Sequence, residues 1–201
     1  MSGRTIEKNA GRLVATTRGG RQFEVDGIVG GIGVRPDLAL AKEAGLAIEN
    51  GVRVDEHLLT SAPDVYAAGD AANFLHPTLG KRVRVEHEDN ALHMGRLAGR
   101  NMAGANEVYD HVPMFYSDLF DLGYEAVGEL NSKLQVKVDW EDENKKGVLF
   151  YHDAGIVRGV LLWNAWGLVP AARALLAEGR KFKLQELTRE LLEGYKPDGE
   201  N

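Results

Sequence analysis

Residues Thr60 to Ala72 read TSAPDVYAAGDAA, and the reading of this stretch decides the fold. The run Val65 to Ala68 is read as a short buried strand, with Gly69 and Asp70 at its exit and Ala71 and Ala72 beyond. In an α/β sheet, ligands collect outside the carboxyl ends of the strands. Gly69 lets the backbone pass close to a ligand because no Cβ intervenes. Asp70 then offers a charge-assisted acceptor to a hydroxyl, which suits a sugar-like polyol. The plainer alternative is a strand followed by a turn in which Asp70 caps a helix.

Working toward the C-terminus, Asn73 to Gly80 is read as a loop and Arg82 to Val85 as a short strand. A helix is predicted from Glu86 to Met102, with Ala91, Leu92, Leu97, Ala98 and Met102 near helical spacing. Its small residues Ala91, Gly95, Ala98 and Gly99 suit close packing on a sheet. Glu86, Glu88 and Asp89 complement the positive helix N-terminus, which could equally stabilise negative charge on a ligand. Working toward the N-terminus, Asp37 to Ala44 is read as a short helix capped by Asp37 and stopped at Gly45. Asn50-Gly51 between Leu46–Ile48 and Val52–Val54 marks a tight reversal.

The ends of the chain differ in kind. Arg12 to Thr17, a Gly19-Gly20 turn and Gln22 to Val25 predict a hairpin, and Gly27 to Val34 predicts a third strand ended by Arg35-Pro36. Gly31-x-Gly33 is no dinucleotide fingerprint, because Pro36 stands where GxGxxG needs its last glycine. At the other end Ala126–Leu130, Leu134–Val138, Gly147–His152 and Ile156–Trp163 read as strands, with Asp153-Ala154-Gly155 turning the last pair. Pro170 opens a helix that ends at Gly179, and Leu184, Leu187 and Leu191 mark a final amphipathic helix. The charged run Glu141 to Lys146 is read as a solvated loop, and the tail KPDGEN as disordered.

Composition narrows the function. The chain has 201 residues, 44% hydrophobic and 27% charged, with a formal net charge of −6. That charge gives no electrostatic footprint for nucleic acid. No apolar run approaches the roughly 18 residues that cross a bilayer, and no signal-peptide core is seen, so the expected location is cytoplasmic. With no cysteine and six dispersed histidines, neither a redox dithiol nor a metal site is expected in these residues.

The order GIGVRPD, then LLTSAPDVYAAGDAA, then RVEHEDNALHMGRLAGRNM, then MFYSDLFDLGYEAVGE resembles the C-terminal half of the FAD-dependent, NAD(P)H-linked pyridine nucleotide oxidoreductases. The segment GVLFYHDAGIVRGVLLWN is similar to the apoptosis-inducing-factor-like branch, beside the ferredoxin-reductase-like proteins. The implied fold is α/β: a partial FAD/NAD-linked reductase fold followed by an α+β domain. Its implied divisions are 1–36 as the tail of an NAD(P)H-binding domain, 37–107 as part of an FAD-binding domain, and 108–201 as the C-terminal domain.

The resemblance also implies a site. Asp70 would accept a hydrogen bond from the ribityl chain of FAD, with Gly69 and the backbone of Ala71 leaving room for the cofactor. Glu86 and His87, at the start of the long helix, would line the isoalloxazine and nicotinamide side. Gly33 would sit by the dinucleotide. Tyr116, where the family usually has Trp, would stack on the flavin. The alternatives are a dipole-complementing Glu86, a surface His87, a turn glycine at 33 and a core Tyr116. The implied activity passes hydride from NAD(P)H to FAD and electrons to a ferredoxin-like protein, a quinone or another small acceptor. A homodimer is possible. Both phosphate-binding glycine fingerprints are missing from this sequence, so the chain by itself is expected to be inactive, and the alternative function is a non-enzymatic interaction or dimerisation module.

Overall fold

The computed structural model describes residues 3–76 and 78–193. The predicted disordered tail KPDGEN lies outside the described residues, as does Pro77. The chain divides into two compact units, the first ending at Arg35 and the second beginning at Pro36.

The first unit is a three-stranded antiparallel meander of β1 (Gly3–Asn9), β2 (Arg12–Thr17) and β3 (Gln22–Val25). The hairpin at Gly19-Gly20 forms as expected, but the third strand precedes it rather than follows it. Ala10 and Gly11, with φ of 48° and 89°, make a second tight reversal that pairs Asn9 with Arg12. Residues 27–34 form no strand, consistent with four glycines in eight positions, which supply no side chain to pack and weaken extended structure.

The second unit starts with α1 (Ala39–Glu43), whose first amide is accepted by the Asp37 carboxylate at 2.9 Å. The Asn50-Gly51 reversal has φ of 48° and 127° and leads into β4 (Val52–Arg53). β4 lies parallel to β5 (Ala72–His76), which pairs antiparallel with β6 (Lys81–Val83). The strand expected at 65–68 is therefore displaced. Only Tyr66 makes a bridge, to Leu59, and the true strand follows Gly69-Asp70. The run after the turn, ANFLH, is almost wholly buried, whereas Val65 is exposed, so burial selects the later segment.

Against these short strands packs α2 (Glu88–Met102), which buries Met94, Leu97 and Ala98 with Phe74, Leu58 and Tyr109. The rest is a five-stranded antiparallel sheet in the order β7-β8-β11-β10-β9: β7 (Met114–Leu119), β8 (Leu122–Gly128), β9 (Gln135–Asp142), β10 (Lys146–Asp153) and β11 (Ile156–Trp163). The helices α3 (Val169–Ala177) and α4 (Leu187–Glu193) cover one face, around Phe150, Val160, Leu162 and Leu176. Pro170 sits in the first turn of α3, where its missing N–H costs nothing. All three tryptophans, Trp140, Trp163 and Trp166, belong to this sheet or the turn that leaves it.

Candidate functional site

The helix α2 begins two residues later than its charge pattern predicts. Glu86 and His87 precede it in extended backbone, and His87 is its N-cap, with Nδ1 accepting from the Asp89 amide at 3.4 Å. The expected pair of free helical amides at 86 and 87 is thereby corrected: the first turn is Glu88 to Asn90, and an imidazole already addresses one of its amides. The Tyr116 amide lies 3.4 Å from His87 Nε2, and the two rings meet edge to face with centroids 4.9 Å apart. A neutral imidazole accepts at only one of its two nitrogens, so one of these contacts holds at a time.

Glu86, His87 and Tyr116 share a cleft of about 470 Å³, together with His76, Arg84 and Phe115. Tyr116 stands on β7 and is half exposed, which overturns the core alternative for this residue. Glu86 is taken by Arg84, Nη1 to Oε1 at 2.5 Å, rather than by the helix dipole.

Gly69, Asp70 and Ala71 form a single 3-10 turn ahead of β5, so Asp70 is not the cap of α2. Gly69 has φ of 67° and sits where a Cβ would come within 3.3 Å of Ala91 on α2, which explains the glycine by close approach and by left-handed backbone. The Asp70 carboxylate is exposed and makes no hydrogen bond among the described residues, while its carbonyl accepts from Arg84 Nη1 at 3.1 Å. Arg84 therefore links the Asp70 turn to Glu86 at the cleft. A Cβ on Gly51 would come within 2.8 Å of the Ala71 carbonyl, so the Asn50-Gly51 reversal supports the same turn from below. Gly33 belongs to the first unit, with φ of 80°.

Arg84 stands two residues before Glu86, and that i, i+2 spacing of opposite charges is the sequence signal for the pair. His76 is buried, its Nδ1 accepts the Leu79 amide at 3.2 Å, and burial, then Arg158, Lys81 and His111, push its pKa down to about 4.

Behind the cleft lies a polar hub. The Asp89 carboxylate accepts from His111 Nε2 at 2.7 Å, the Met114 amide at 3.0 Å and Arg173 of α3 at 3.2 Å. Burial works against this carboxylate, but the hydrogen bonds from His111 and Met114 and the charge of Arg173 outweigh it and hold its carboxyl well below the ordinary range. Asp89, His93 and His111 bring ligand-type atoms within 4.8 Å of one another, a gathering the dispersed histidines did not foretell. The His93 and His111 rings are stacked at 3.6 Å with 10° between planes, so their in-plane lone pairs do not converge. Arg173 Nη2, 3.2 Å from His111 Nε2, already supplies the cation. The hub is an ion-paired clamp between α2 and α3.

The pyridine nucleotide-disulphide oxidoreductase pattern matches residues 2–95, and the C-terminal pattern of mitochondrion-associated apoptosis-inducing factor matches residues 98–140. Over these segments the chain resembles the pyridine nucleotide-disulphide oxidoreductases, and among them the apoptosis-inducing-factor-like and ferredoxin-reductase-like proteins. It is 38% identical over 184 residues to apoptosis-inducing factor 1, mitochondrial, of Dictyostelium discoideum, covering 85% of this chain and 35% of that protein. It is 36% identical over 118 residues to the anthranilate 1,2-dioxygenase system ferredoxin–NAD(+) reductase component of Burkholderia cepacia, covering 59% of this chain and 29% of that one. A solved ferredoxin reductase from Rhodopseudomonas palustris superposes with a TM-score of 0.84 at 28% identity, over 95% of this chain and 48% of its own. The chain thus spans about a third of these curated relatives and about half of the solved reductase. The family works with FAD and NAD(P)H, and the α/β reductase fold followed by an α+β domain is the one expected from the motif order. With no cysteine in the chain, a redox dithiol has no place in these residues.

Proposed function

We propose that this chain forms the flavin-facing cleft of an FAD-dependent NAD(P)H oxidoreductase whose electron acceptor is a ferredoxin-like protein. The observation that carries the reading is the convergence of Glu86, His87 and Tyr116 on one cleft at the entry to α2. Its size and largely apolar lining suit a planar ring system. Arg84, in its wall, joins the Asp70 carbonyl to the Glu86 carboxylate and so fixes one side of the cleft. FAD, when bound, takes hydride from NAD(P)H and releases electrons onward.

The chain's own part is placement. Tyr116 presents an aromatic face and keeps water from one side of the cleft. His87 fixes Tyr116 through ring and backbone contacts. Asp70, exposed and held by its carbonyl rather than its carboxylate, is available to a polyol hydroxyl. The N-terminal turn of α2 favours negative charge nearby. A ferredoxin-like acceptor, rather than a quinone, is favoured by the ferredoxin reductases among the relatives.

The test replaces the matching half of the Rhodopseudomonas reductase with this chain. The folded hybrid is expected to purify with flavin absorbance and to be bleached by NADH, and Asp70→Ala or Tyr116→Ala to lose most of the flavin. A folded hybrid that stays colourless in excess FAD would overturn the proposal.

A further inference from the structure

One end of the five-stranded sheet gathers the β7–β8 turn, the β9–β10 turn and the exit from β11, and Asn164 ties them together. Its side-chain amide donates to the Lys145 carbonyl at 2.8 Å and the Asp121 carbonyl at 3.3 Å, while its Oδ1 accepts from the Gly123 amide at 2.7 Å. The Trp163 indole adds a hydrogen bond to the Asn144 carbonyl at 3.2 Å. What this fixed end displays is apolar. Phe120 is 98% exposed, Leu119 65% and Trp166 52%. Phe120 also holds φ of 57°, a conformation that glycine or asparagine adopts at less cost, so neither burial nor turn chemistry accounts for a phenylalanine there.

Trp166 and Trp140 line a groove of about 610 Å³, together with Leu168 and Leu192. The charges around it do not balance. Both lysines of the β9–β10 turn are already paired, Lys145 with Asp142 and Lys146 with Glu141. Asp118, Asp121 and Glu143 are exposed and have no ion-pair partner among the described residues. Trp166 and Asp118 are neighbours, because a Cβ on Gly123 would meet the indole and the Asp118 carboxylate at 2.6 Å each.

An exposed indole beside an unpaired carboxylate suits a guanidinium or an alkylammonium, since the ring face attracts the cation and the carboxylate pairs with it. We propose that this end of the sheet docks a basic segment of another protein. An arginine or lysine of that segment lies at Trp166 and Asp118, and its apolar side chains enter the groove between the two indoles. The three carboxylates disfavour an acidic partner, and they equally repel an anionic lipid surface. The cleft takes Phe115 and Tyr116 from the opposite end of β7, so the docked segment leaves it open.

The probe is a short dye-labelled peptide alternating leucine with arginine, followed by fluorescence anisotropy as the chain is added. Saturable binding that weakens with added salt is expected. Asp118→Asn with Asp121→Asn should weaken it about threefold to tenfold, and Trp166→Ser about tenfold or more. Leu40→Ser, exposed on α1, should leave it unchanged. Asp118→Lys with Asp121→Lys, which keeps both indoles, should pass the preference to a peptide alternating leucine with glutamate. No saturable binding, equal binding of the glutamate peptide by the parent chain, or binding untouched by the Asp118 and Asp121 changes would each overturn the proposal. So would a parent chain that sediments as a dimer and becomes monomeric with Trp166→Ser, which would give the surface to a second copy.

Discussion

The C-terminal core closes by laying α3 and α4 over one face of a five-stranded sheet, whereas the smaller core gathers around the single helix α2, against strands of two to five residues. The first is filled by sixteen buried apolar or small residues, Phe150, Val160 and Leu162 among them. The second has eight and adds buried polar groups that must be satisfied: the Tyr109 hydroxyl donates to Asn90 Oδ1 at 3.0 Å, and the Asn101 amide donates to the His57 carbonyl at 2.8 Å. Apolar volume holds one core, and matched hydrogen bonds hold much of the other. The cleft proposed to face the flavin lies where the polar core meets the sheet, beside the two groups whose protonation burial and hydrogen bonding displace, His76 and Asp89.

The largest expected effect tests the apolar core. Phe150→Ala should cost about 3–5 kcal/mol by lost burial and cavity formation, measured by urea denaturation followed by circular dichroism. A cost below about 1 kcal/mol would mean that the sheet does not depend on its buried volume.

Next comes the proton. His76 has a folded pKa of about 4, below its ordinary 6.5, so its neutral form is favoured by folding. Its contribution is fully present above pH 6.5 and is lost as pH falls toward 4, by about 3 kcal/mol. Protonation at Nδ1 also removes the acceptor for the Leu79 amide. Hydrogen exchange should therefore show β5 and α2 loosening between pH 6.5 and 4 while β10 and β11 keep their protection, and His76→Gln should flatten the pH response. Equal loosening of both regions would erase the distinction. Below about pH 4 the Asp89 clamp adds its own loss, because that carboxylate is favoured by folding and its stabilisation disappears on protonation.

The smallest effect is the sharpest in origin. Tyr109→Phe removes one hydroxyl and leaves Asn90 Oδ1 buried without its donor, at a cost of about 1–2 kcal/mol. The same deletion at Tyr124, on the open face of the sheet, should cost nearly nothing.

Where hydrophobic pattern or turn chemistry is local, the sequence was legible. Ile156–Trp163 is a strand with the boundaries its pattern predicts, Pro170 opens α3, and Asn50-Gly51 turns the chain with positive φ at both residues. Where tertiary burial decides, it was not. VYAA and ANFLH are both short apolar runs on either side of Gly69-Asp70, and only their packing on α2 shows which becomes a strand. The FYSD segment shows its aromatic residue in the sequence but not its place in β7, because its strand identity comes from pairing with β8. In the candidate site, Glu86, His87 and Tyr116 were legible as residues, yet Arg84 and the Asp89–Arg173 clamp join positions up to 84 apart in sequence, which no local pattern encodes.

The confinement of Trp140, Trp163 and Trp166 to the sheet and its exit turn has an optical consequence. Indole emission is blind to the core around α2, so a chain that has melted beside the cleft while keeping its sheet would look native in a fluorimeter. Tyrosine signal, or an indole placed at Phe74, is needed to watch the half of the molecule where the chemistry is proposed to occur.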